Sequence, residues 1–88
     1  MRKKGPVDPD AIISDALARA GKDTVDARVL YDASEALLEV GRPDVAATYA
    51  ARAYGLAVLE KDASLAASAL TLIVTRLGAD GRKVLVDL

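Results

Sequence analysis

The stretch from Pro43 to Glu60, PDVAATYAARAYGLAVLE, limits what this chain can become. Between Asp44 and Glu60 its only charge is Arg52. Read as a helix, it has almost no purely polar side, whereas a surface helix ordinarily pairs an apolar stripe with a charged face. It therefore needs neighbours on several sides. Ala46, Ala50, Ala53 and Ala57 make a line of small residues, and Val45, Tyr49, Leu56 and Leu59 make a bulky one. The alanine line would let a second helix approach toward the short end of the usual interaxial range.

Helix signals bracket this stretch on both sides. Asp8-Pro9-Asp10 suits a helix start, with Asp8 as cap and Pro9 in the first turn. Ile12, Ile13, Ala16, Leu17 and Ala20 then share a face, and Gly21 stops the helix. Asp23 is the expected cap of the second helix, with Asp26 at its third position. That helix presents Leu30, Ala33, Leu37 and Val40 on one face, and Arg28, Asp32, Glu35 and Glu39 line much of the other side. Gly41-Arg42-Pro43-Asp44 makes a connection short enough to set helices two and three antiparallel. Gly55 beside the alanine line suggests close backbone approach or a slight bend. Asp62 starts a fourth helix, in which Leu65, Ala69, Leu72 and Ile73 form one face and Leu70, Val74 and Leu77 a second. Ser64, Ser68, Thr71 and Thr75 occupy another flank, an expected interface because the adjoining positions are apolar.

The spacing predicts an all-α domain, a compact bundle or repeat-like array of about four short helices, near 9–20, 24–40, 43–60 and 63–77. Residues 1–7 read as a flexible basic arm, 8–78 as the helical domain and 79–88 as a C-terminal tail. Val84, Leu85 and Val86 give that tail the character of a short strand. With 88 residues the core is modest, since a domain near this size buries only somewhat more than about 60% of the surface its unfolded chain exposes. Abundant alanine favours helix but contributes little buried area per residue.

The missing residue types exclude most chemistry. There is no cysteine and no histidine, so disulfides, thiolate nucleophiles, the commonest metal ligand and the usual general base are all absent. Asp32, Glu35 and Glu39 share a helix face but sit among the features of a solvated surface. The serines and threonines lack a base, and the separated glycines form no phosphate loop. No enzyme, cofactor or metal is expected. The formal net charge of −1 argues against a mainly electrostatic nucleic-acid binder. A local patch of Arg2, Lys3, Lys4, Arg42 and Arg52 keeps a small dimeric nucleic-acid-associated regulator as the competing reading. The basic start lacks the apolar run of a secretory signal, and the weakly charged stretches are shorter than a membrane span. The expected location is cytoplasmic.

The passage from Ala27 to about Val58 resembles a single tetratricopeptide repeat. Leu30, Ala33, Ser34 and Leu37 carry the likeness in the first helix, Gly41 at the turn, and Ala46, Ala50 and Ala53 in the second. Ser34 replaces the family's usual glycine, and Val58 stands where a proline is common. The match covers a little over a third of the chain, and no second full copy follows. Tandem repeats of that family commonly form peptide-binding grooves, which one hairpin does not inherit. The function expected is non-catalytic: a protein-interaction or homo-oligomerisation module, or an adaptor. Tyr49, Tyr54, Leu56, Leu70 and Val74 are the expected interface residues, because bulky side chains offer more desolvated contact than alanine.

Overall fold

A computed structural model describes residues 8–87, and within them five helices follow one another. They are α1 (Pro9–Ala20), α2 (Ala27–Glu39), α3 (Pro43–Leu59), α4 (Ala63–Arg76) and α5 (Gly78–Asp87). The expected basic arm with Arg2, Lys3 and Lys4 lies outside the described residues.

Local chemistry sets most of the boundaries. Asp8 caps α1 by accepting from the Asp10 amide at 3.0 Å, and Pro9 fills the first turn, where an amide hydrogen would have no helical partner. The start of α2 corrects the sequence reading. Asp26, not Asp23, is the cap; it accepts from the Val29 amide at 2.9 Å, so the helix begins at Ala27. Asp26 also holds the Lys22 ammonium, and that contact, followed by the Val29 amide, lowers its carboxyl pKa. After α2, Gly41 takes a φ of 83°, a left-handed geometry that glycine adopts without a Cβ clash. The Arg42 amide then donates back to the Leu37 carbonyl at 2.9 Å, which reverses the chain into α3. The α2–α3 hairpin is tied at its far end by Glu60, whose carboxylate accepts from the Ala27 amide at 3.4 Å.

Helix α3 is the central element. It packs against α2 and α4, and against α5 near its start, while α1 covers α2. Ala46, Ala50, Ala53 and Ala57 are fully buried, so the small-residue line is used within the chain. Ten of the seventeen buried apolar residues are alanine. This core is therefore held by close helix approach rather than by side-chain bulk. Gly55 departs from expectation: it is exposed, and a Cβ there would meet nothing within 4 Å. It lies on the outward side of α3 and marks no close contact.

The C-terminal stretch is helical, not a strand, which makes the count five rather than about four. A lone strand would leave its backbone groups unpaired, whereas a helix closes its own hydrogen bonds. Leu77, Gly81, Val84 and Leu85 recur at helical spacing. Leu77 and Gly81 are buried, and Val84 and Leu85 pack on the cluster that holds Ala46, Ala47, Ala50, Leu72 and Ile73. The extents of 43 × 32 × 16 Å make the assembly a slab. A helix with side chains is about 10–12 Å across, so every helix of so thin a body keeps one side toward solvent.

Candidate interaction surface

Over its first thirteen residues α4 turns no charge toward solvent. From Ala63 to Thr75 the helix has no ionisable residue, although Ala63, Ser64, Ala67, Thr71, Val74 and Thr75 are exposed. Val74 is 60% exposed. Thirteen residues of helix span about 20 Å. Inward, Leu65, Ala69, Leu72 and Ile73 fill the core as the sequence reading expected.

The hydroxyl flank lines one wall of a groove of ≈ 400 Å³ between α4 and α2. Ser64, Ser68, Thr71 and Thr75 face Tyr31 across it, and Arg76 stands at one end. Arg76 donates to the Glu35 carboxylate of α2 at 3.5 Å. Burial of Tyr31, with the neighbouring Glu35 charge second, raises its hydroxyl pKa. The Thr75 hydroxyl donates to the Thr71 carbonyl at 2.7 Å, a bond within its own helix. Tyr31 did not stand out in the sequence. Its signal was an aromatic ring on the charged flank of α2, between Arg28 and Glu35, where a solvated face has no need of one.

Beside the first turn of α4 lies an apolar hollow of ≈ 430 Å³, walled by Ala57, Val58, Ala63 and Ala66, with Lys61 and Asp62 on its rim. Val58 and Leu59 next to it are 52% and 78% exposed. A third cleft, of ≈ 290 Å³ between α1 and α2, is lined by Arg19, Asp32, Glu35 and Glu39. None of these carboxylates is buried, and Asp32 pairs with Arg28 at 3.4 Å. Such solvated charges lack the contrasting environments that would set one acid against one base. Among the described residues, no group of three or more His, Cys, Asp or Glu side chains is arranged to hold a metal ion.

The residues expected at an interface are not brought together in one patch. Tyr49 is half-buried against the cluster of Ala16, Val29 and Ala33, with the Arg52 guanidinium 5.8 Å from its ring centre. Tyr54 and Leu56 are half-buried against Ala57, Leu65 and Ala66. Both tyrosine rings thus extend the alanine-rich core. Leu70 and Val74 lie one turn apart on α4, half-buried and exposed respectively. Arg42 pairs with Asp44 at 3.2 Å and lowers that carboxyl's pKa.

Among the described residues, no helix is long and apolar enough to cross a membrane. No family model, curated protein or solved structure matches the chain.

Proposed function

We propose that this chain is a non-catalytic protein-association module of the cytoplasm, and that the uncharged outer side of α4 is its contact surface. One observation carries the reading: thirteen successive residues of α4, six of them exposed, lack any charge, in a chain where 28% of residues are charged. Continuous uncharged surface of this kind marks association sites more often than bulk solvent contact. The need for neighbours evident in α3 is met inside the chain, so the weight of the proposal rests on α4. In this reading the α2–α3 hairpin is a single tetratricopeptide-like unit whose apolar faces are covered by α1 and α4.

A photo-crosslinking amino acid placed at Val74 in the source cell tests the proposal. Adducts are expected at position 74 and not at Thr48, an exposed position on α3. Absence of adducts at both positions would end the reading.

A further inference from the structure

Resting on that reading, we infer that the occupant of the α4 surface is a second copy of this chain, paired antiparallel through α4 about a two-fold axis. Ala63, Ala67, Leu70 and Val74 are spaced by four, three and four residues, the repeat of a helix-pairing seam. Of these, only Leu70 is even half-buried. The two bulky members stand toward the C-terminal end and the two alanines toward the N-terminal end. Only one relative direction makes this asymmetry complementary. An axis passing between Ser68 and Ala69 sets Ala67 opposite Leu70 of the copy and Ala63 opposite Val74, each small residue against a large one, twice over by symmetry. Parallel pairing would instead set valine on valine and alanine on alanine, leaving one end overfilled and the other void.

Two further features agree with the same axis. The apolar hollow bounded by Ala57, Val58, Ala63 and Ala66 adjoins Ala63, the position that Val74 of the copy would meet. An exposed knob and an apolar recess thus occur at positions the dyad brings together, the arrangement in which a single side chain contributes most to binding. The opposed helix dipoles favour the same antiparallel direction. A seam of three turns lies at the small end of specific interfaces, so the dimer depends on how well Leu70 and Val74 fill the positions facing them rather than on area.

The test uses the full chain over a dilution series, followed by sedimentation equilibrium. The mass is expected to rise from 9.2 kDa toward twice that value with concentration. Val74→Glu should weaken the dimer by roughly tenfold or more, whereas Thr48→Glu should leave it unchanged. Because the chain has no cysteine, direction is read by oxidation of single-cysteine variants. A mixture of Ala67→Cys and Leu70→Cys chains should cross-link faster than either alone. A monomer at every concentration, a dimer indifferent to Val74→Glu, or cross-linking of Ala67→Cys chains as fast alone as in the mixture would each overturn the pairing. The photo-crosslinker at position 74 separates this failure from that of the broader reading. Adducts of twice the chain mass support self-pairing; adducts only with another protein overturn it and leave the association reading standing; no adducts overturn both.

Discussion

A Cβ on Gly81 would stand 2.1 Å from the carbonyl oxygen of Ile73, so α5 lies against α4 at a distance that only glycine permits. Gly81→Ala must push the two backbones apart and loosen the packing of Val84 and Leu85. A cost of about 1–3 kcal/mol is expected, the usual range for overpacking. Urea unfolding followed by circular dichroism measures it, and an unchanged midpoint would contradict the described docking of α5.

Close packing along α3 makes a similar demand. Ala50 and Ala53 are fully buried. Ala50→Leu and Ala53→Leu, made separately, should each destabilise the chain by about 1–3 kcal/mol. If both leave the unfolding midpoint in place, the close helix approach at the alanine line is wrong.

Two substitutions should stabilise. Gly55 is exposed within α3, and a Cβ there meets nothing within 4 Å. Gly55→Ala is therefore expected to add up to about 1 kcal/mol by restricting the unfolded backbone. Lys61 ends the α3 turn with a φ of 60°, a left-handed geometry unfavourable for a side chain. Lys61→Gly should gain roughly 0.5–1 kcal/mol, the strain relieved less the added chain entropy. Thermal melts of both variants are the check, and a lower melting temperature for either would contradict its assigned backbone environment.

Stability should also fall in acid through Asp26. Its folded pKa is lowered from 3.8 by the Lys22 contact first and the Val29 amide second. The sign follows from linkage: the contribution is fully present above the unfolded value and is lost as pH falls through the lower folded value. Asp26→Ala should cost about 1 kcal/mol near neutral pH, as for other lost caps, and less in strong acid, where the native carboxyl is protonated too. Chemical denaturation of both proteins from pH 7 down to pH 2 reads the difference. A constant gap across that range would remove Asp26 from the acid response.

Much of the helical plan was legible because capping acts over three or four residues. Asp8, Gly41, Pro43 and Asp62 announce their boundaries by chemistry that no distant contact alters. Asp23 was displaced as the cap of α2 by one such local competition, since the Asp26 carboxylate, just before Ala27, reaches the Val29 amide and leaves Asp23 in the loop. The α5 helix was harder to read. Val84-Leu85-Val86 taken alone has strand character, and its helical period appears only when buried Gly81 is counted with Leu77 as part of the apolar face.

The sequence by itself determined a helical domain over its first four helices, its main turns, an alanine-lined third helix, and the absence of cysteine and histidine chemistry. Tertiary structure alone decided which apolar faces were consumed. Neighbouring α2, α4 and α5 take up the alanines of α3, and both tyrosine rings of α3 join the core. In so thin a slab, α4 is left with a side toward water that carries no charge from Ala63 to Thr75. Helical periodicity specifies the angle between stripes on one helix, whereas burial depends on how several helices cross, and that is a property of the whole packed chain.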